Sequence, residues 1–235
     1  MNESFRIVIP ARIASQRLHE KMLTDVCGLP LIVRTWQQAM QAGAQEVVVA
    51  TDSGKIAGTL RGWGADVQMT GPHPTGTDRV AEAVRIRDWS SDTIVVNVQG
   101  DEPLISPADI NAVAALLMRS PDAGMATLHA PLQRHERDTA SVVKVVGGER
   151  AHWFSRTALP GACRHLGLYA WRVDGLRWFS QLPRSFYERV EMLEQLRVLE
   201  NGMTVALAEA PDGLSIAVDT AEDLARVRAI VEGRS

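Results

Sequence analysis

The run IVVNVQGDEP, residues 94–103, decides how this chain is read. Ile94, Val95, Val96 and Val98 are β-branched and apolar, the pattern of a buried strand, and Gly100, Asp101, Glu102 and Pro103 stop it abruptly. An acidic pair is thereby delivered to the carboxyl end of a core strand. In an open α/β sheet that edge is where ligands bind, because the connecting loops form a crevice there. A carboxylate fixed at such a point suits a hard cation such as Mg²⁺, which takes oxygen ligands and keeps sites for waters and substrate phosphates. The same four residues also spell a solvated turn, and the local sequence alone favours the turn.

Upstream, residues 5–10 (FRIVIP) form a β-rich run closed by Pro10. Arg12, Arg17 and Lys21 follow within a few residues, a density of cations that fits a triphosphate or, equally, a solvated basic turn. Neither GxxxxGK[ST] nor GxGxxG occurs here, which removes the main support for a P-loop enzyme or a dinucleotide-binding dehydrogenase. Residues 31–42 carry helical periodicity up to Gly43, residues 46–51 read as a strand, 53–63 as a helix and 65–69 as a strand. Strand, helix and parallel strand in succession give a right-handed βαβ unit and an α/β fold with a mostly parallel sheet. The loop at Thr75, Gly76 and Thr77 enters a further helix, with Asp78 at its acidic start. It reads equally as a place where backbone groups meet a base edge and as an ordinary helix entry.

Downstream of the deciding strand, Ser106-Pro107 opens a helix, and residues 123–131 and 141–146 read as strands, with Lys144 a weak ligand candidate in the second. Residues 164–169 form a short strand carrying His165. Residues 185–200 read as one helix with Val190, Leu193 and Leu196 on its apolar face; Ser185 and Glu188 make a capping box, and Glu188, Glu191 and Gln195 form a polar stripe. Residues 205–209 are a strand. Residues 216–220 end another strand in Asp219, which, with Thr220, also serves as a cap for a terminal helix over 221–232.

The chain of 235 residues is long enough for a sizeable core, and 46% hydrophobic with 23% charged residues is ordinary for a globular protein. A net charge of −3 offers no general attraction to nucleic acid or an anionic membrane. Two distant cysteines, Cys27 and Cys163, read as reduced thiols, and no apolar run approaches membrane-spanning length. A cytoplasmic protein is expected, one domain over 1–235 with a substrate-facing portion around 125–205.

IPARIASQRLHEKML, HPTGTDRV, NVQGDEP, RHLGLYAWR, ERVEMLEQLR and VDTAEDL occur in order along nearly the whole chain, and together they resemble the 3-deoxy-manno-octulosonate (Kdo) cytidylyltransferases, the CMP-Kdo synthetases. The resemblance implies a nucleotide-diphosphosugar transferase fold, usually a homodimer, that moves CMP from CTP to the anomeric hydroxyl of an acidic sugar and releases pyrophosphate. It further implies that Asp101 and Asp219 hold Mg²⁺, and that Ala11, Arg12, Arg17, Lys21, Thr75, Gly76, Thr77 and Arg79 bind the nucleotide. Lys21, Arg12 and Asp101 would carry the catalysis, and Gln99, His165, Glu188 and Gln195 would face the sugar.

Three departures stand out. The family's RLPGKPL is RLHEKML here, Pro74 stands where Gln is frequent, and the connector between Pro160 and Arg164 is three residues, Gly161, Ala162 and Cys163. Three extended residues span roughly 10 Å, too little to fold over an eight-carbon acid, so altered or loosened acceptor choice is expected. The alternatives to Kdo are a different small acid, such as amino-substituted Kdo or a phosphonate, and a catalytically silent nucleotide-binding homologue.

Overall fold

The computed structural model describes residues 4–13, 18 and 20–234. The deciding strand is β6 (Ile94–Asn97), and it lies against β1 (Phe5–Ala11), parallel and in register from Phe5 opposite Ile94 to Val8 opposite Asn97. On the far side of β1 come β4 (Glu46–Thr51) and β5 (Asp66–Met69), both parallel. Two further two-residue strands, β2 (Asp25–Val26) and β3 (Leu29–Pro30), pair only with each other. The chain therefore leaves β1 toward β4 and β5 and returns to the opposite side at β6. That reversal opens a crevice at the carboxyl ends of β1 and β6, the usual ligand position of an open α/β sheet.

Beyond β6 the sheet continues through β10 (Cys163–Arg172), antiparallel to β6, then β7 (Met125–Ala130) and β11 (Val205–Glu209). A hairpin of β8 (Lys144–Gly147) and β9 (Ala151–Ser155) attaches to the start of β10. Helices cover both faces: α1 (Leu31–Ala39), α2 (Gly54–Gly62), α4 (Pro107–Met118) and α8 (Ala221–Val231) lie on one, α3 (Gly76–Ile86), α5 (Val173–Gln181), α6 (Phe186–Glu191) and α7 (Glu194–Glu200) on the other. Strand alternation explains the two cores. Ile7 and Ile9 of β1 point into the core with Ile32, Ile110 and Leu117, while Val8 between them points into the core with Val80, Phe179 and Leu196.

The structure corrects several readings. Residues 185–200 are two helices, because Met192 adopts a left-handed conformation (φ 55°) and Leu193 is extended. The break turns Leu193 and Leu196 inward together and leaves Val190, expected on the apolar face, 63% exposed. Residues 216–220 belong to no strand, and Val218 N–H donates to the Asp101 carbonyl at 2.9 Å instead of to a ladder. The strand expected over 141–146 starts at Lys144, whose side chain is fully buried. Its Nζ donates to the carbonyls of Thr139 (2.7 Å) and Arg156 (3.1 Å), which is the position of a structural cross-tie and not of a ligand. Strand β9 was not foreseen, since AHWFS mixes polar and apolar residues without a clear period of two.

Candidate active site

Two cavities meet at the carboxyl edge of β1 and β6. The first, about 450 Å³, is lined by Ala11 at the end of β1, Arg12 after it, Lys21, the loop at Thr75 and Gly76, and Asp101. The second, about 810 Å³, is lined from the antiparallel side by Arg156, His165, Tyr169 and Gln195. Gly76, Gln99, Met192, Leu193, Glu194 and Asp219 border both.

Lys21 stands at the junction. It begins a short 3-10 turn, is 7% exposed, and donates from Nζ to Asp101 Oδ2 at 2.7 Å and Asp219 Oδ1 at 2.8 Å. Burial works against its charge, but the attraction and hydrogen bonds of the two carboxylates outweigh burial and raise its pKa above the ordinary lysine value. The three residues are separated by 80 and 198 positions in sequence, so only the fold brings them together. Asp219 is not the helix cap. Thr220 Oγ1 accepts from Asp223 N–H at 3.2 Å, and the Asp223 carboxylate accepts from Thr220 N–H at 2.8 Å, a complete capping box that leaves the Asp219 carboxylate turned to Lys21.

Gly100 lets Asp101 reach this place. A Cβ at Gly100 would stand 2.8 Å from the Pro10 carbonyl oxygen and 3.0 Å from Ile32 Cδ1, so no side chain fits where the β6 loop crosses β1. A Cβ at Gly76 would likewise press within 3.3 Å of Pro10 Cγ. Thr75 caps α3, accepting from Asp78 N–H at 3.1 Å and donating to Asp78 Oδ2 at 2.8 Å. Thr77 is buried beside it.

Arg79 borders the first cavity, but its guanidinium is engaged within the protein, donating to Asp52 Oδ2 (2.9 Å), Thr70 Oγ1 (2.6 Å) and the Gly71 carbonyl (3.2 Å). It pins the loop before Thr75 to β4's end. Arg12 is exposed at the rim, and Arg17 lies outside the described residues.

The four residues expected to face the sugar do not all share one wall. Gln99 borders both cavities, and His165 and Gln195 border the second. Glu188 borders the first and is held by Arg197, whose Nε donates to it at 2.7 Å, both side chains being about 95% buried. Arg197 also stacks over the Phe179 ring at 4.2 Å. Around the second cavity Tyr169 and Glu194 are not among the residues the sequence marks. Tyr169 shares a strand face with His165 four residues earlier, a signal visible in RHLGLYAWR; Glu194 carries none. Glu102, the second acid of the pair after the deciding strand, lies in this wall and not beside Lys21. Burial lifts Glu102 to about 7 against the 2.7 Å hydrogen bond from Ser215 Oγ. Burial also raises Glu194, partly offset by the Thr77 and Thr75 hydroxyls, which ties the helix break to the loop of the first cavity.

The short connector contributes to neither wall. Residues 157–162 are absent from the lining of the second cavity, which is walled instead by segments around 133–143, 192–195 and 214–226.

A cation-rimmed cavity and a second, polar cavity thus meet at Asp219, with Asp101 and Lys21 on the side of the first. The model of the cytidylyltransferase family matches residues 6–205. The chain belongs to the cytidylyltransferase family. This cytidylyltransferase is 46% identical to the 3-deoxy-manno-octulosonate cytidylyltransferase of Chlorobaculum parvum over 245 aligned positions, 97% of each chain. Its fold is similar to that of a CMP:2-keto-3-deoxy-manno-octonic acid synthetase solved in complex with CTP (TM-score 0.91, 36% identity, 99% of this chain and 100% of that one). It is also similar in fold to a cytidylyltransferase from Leptospira borgpetersenii (TM-score 0.67, 16% identity, 98% of this chain and 87% of that one). No helix of the described residues is long and apolar enough to cross a membrane.

Proposed function

We propose that this cytidylyltransferase transfers CMP from CTP to the anomeric hydroxyl of Kdo and releases pyrophosphate. The carrying observation is the meeting of the two cavities at Asp219, which Lys21 joins to Asp101 in the first, in a chain whose relatives over nearly its full length are named for that reaction. The triphosphate belongs in the first cavity, among Arg12 and Lys21, with the base toward Thr75 to Thr77, and the acidic sugar in the second. In the reaction the sugar hydroxyl oxygen forms a bond to the α-phosphorus, the bond to the pyrophosphate oxygen breaks, and the hydroxyl proton is lost. Such a displacement depends on in-line positioning and on cations that share the charge of the phosphoryl oxygens and the leaving group.

Mg²⁺ is part of this reading. Asp101 and Asp219 already converge on one cation, the Lys21 ammonium, so hard oxygens are aimed at a common point. Among the described residues no group of three or more His, Cys, Asp or Glu forms a metal cage. Two carboxylates completed by substrate phosphates are what Mg²⁺ ordinarily uses. When bound, the metal would offset phosphate charge; Lys21, released from the carboxylates, would be free to meet the triphosphate.

The reading extends to a homodimer and to the cytoplasm. Phe186, Tyr187 and Val190 expose apolar side chains on α6, which supports pairing with a second copy. Cys27 and Cys163 are unpaired, which suits a reducing compartment. Incubation with CTP, Kdo and Mg²⁺ is expected to yield CMP-Kdo and one pyrophosphate per sugar consumed, and to stop on chelation. Product formation unaffected by chelation would overturn the metal assignment, and absence of CMP-Kdo would overturn the reaction.

A further inference from the structure

The pairing of β7 and β10 slips at the second cavity, from Leu166 opposite Leu128 to Tyr169 opposite Thr127. Thr127 is fully buried in this bulge, and its Oγ1 is shared by three groups: the Leu168 carbonyl at 2.8 Å, the Leu166 carbonyl at 3.2 Å and His165 Nε2 at 2.9 Å. A hydroxyl has one proton to give, and carbonyls can only accept. If that proton went to the imidazole, Oγ1 and the Leu168 oxygen would face each other at 2.8 Å with no hydrogen between them. The proton therefore goes to Leu168, and Nε2 must itself carry a hydrogen and donate to Oγ1. The hydrogen bond at one ring nitrogen thus fixes the state of the other.

The other nitrogen, Nδ1, makes no hydrogen bond to a described residue and is not among the polar atoms sealed from solvent, while the ring borders the second cavity. Phe154 meets the ring edge-on at 5.0 Å and Tyr169 lies beside it at 5.5 Å, so packing holds its orientation. Burial, with a smaller contribution from His129, pushes His165 down to about 3, and the ring is neutral at working pH. Gln195 and Tyr169 are hydrogen-bonded to each other on the same wall.

We propose that Thr127 is a positioning residue that holds His165 as the neutral Nε2–H tautomer, so that the ring offers the acceptor sugar a hydrogen-bond acceptor at Nδ1. This rests on the second cavity being the sugar site. An Nδ1 lone pair repels a carboxylate and receives a hydroxyl. His165 accordingly meets a hydroxyl of the sugar, not its acid group, and the acid is left to the cations of that cavity.

Nitrogen-15 spectra of histidine-labelled protein at neutral pH, without substrates, test the tautomer directly. His165, assigned by comparison with His165→Gln, is expected to show one protonated nitrogen at Nε2 and one bare nitrogen at Nδ1. A hydrogen on Nδ1, alone or together with Nε2, would overturn the proposal even if CMP-Kdo is formed. Thr127→Val is expected to disturb these signals and to raise the KM for Kdo about tenfold, the size of one lost orienting hydrogen bond, with the KM for CTP within about twofold. Thr127→Ser is expected to restore both. A Kdo KM unchanged in Thr127→Val would refute the positioning role. Should the spectra be as expected while Kdo is not turned over, the tautomer stands and the substrate reading fails.

Discussion

The two cavities are built on opposite principles. The first lies where parallel strands end, and its charged groups sit at the rim or are matched charge to charge, as Lys21 is with Asp101 and Asp219. The second is made from antiparallel strands and a broken helix, and beside the arginines that line it, Arg156 and Arg164, it buries groups that stay neutral: His165 is pushed down to about 3 and Tyr169 is pushed up. A triphosphate needs cations close at hand, while a polyhydroxylated sugar needs neutral donors and acceptors in fixed directions. One end of the site works by charge and the other by hydrogen-bond polarity.

The sharpest way to break this contrast is at the charged end. Asp101→Asn and Asp219→Asn are each expected to cut turnover by about a thousandfold, as when one fixed group that stabilises transition-state charge is removed. The melting temperature should change little for Asp219→Asn, because Thr220 and Asp223 cap α8 without it. Near-normal activity in Asp219→Asn would dissolve the two-carboxylate junction.

A stability measurement probes the frame that separates the cavities. Glu188→Gln leaves the Arg197 guanidinium buried without its counter-charge and is expected to cost roughly 3–5 kcal/mol in denaturant unfolding. A loss below about 1 kcal/mol, the range of exposed pairs, would mean that the ion pair does not hold α6 to α7.

The neutral end has its own signature in pH. His165 has a folded pKa of about 3 against an ordinary 6.5, so between these values the unfolded chain binds the extra proton. Stability conferred by the neutral state is therefore complete above about pH 6.5 and is lost as pH falls toward 3, by on the order of 5 kcal/mol at most. His165→Gln should lack this component when unfolding free energies are compared across that window. Parallel curves for the two proteins would show that His165 titrates normally. The smallest effect is expected at the exposed patch, where Val190→Glu should shift sedimentation from dimer to monomer with little change in the fold of each subunit.

The contrast also explains what the sequence discloses. Residues 94–103 announce both the core strand and the acid at its end, because β-branched runs and Gly-Asp-Glu-Pro are local signals. That Arg12 and the loop at Thr75 and Gly76 lie at the ends of regular elements is likewise legible, whereas the inward turn of Arg79 to Asp52 is not. Lys21 as partner of Asp101 and Asp219 is not legible, because that meeting spans most of the chain. At the second cavity the local signals mislead. The helical periodicity of residues 185–200 conceals the break at Met192, which depends on tertiary burial of Leu193 and on the Glu188–Arg197 pair. The short connector at 161–163, so conspicuous in sequence, takes no part in the cavity wall.

If the first cavity takes the nucleotide and the second the acidic sugar, the two substrates meet at Asp219, which Lys21 links to Asp101. Pyrophosphate release measured for each of the four nucleoside triphosphates against Kdo, amino-substituted Kdo and a small phosphonate decides whether they do. Release is expected with CTP and Kdo together, with the other triphosphates far slower and neither substrate sufficient alone. Equal release with all four triphosphates, or release from CTP that is indifferent to the presence of an acidic sugar, would contradict that meeting.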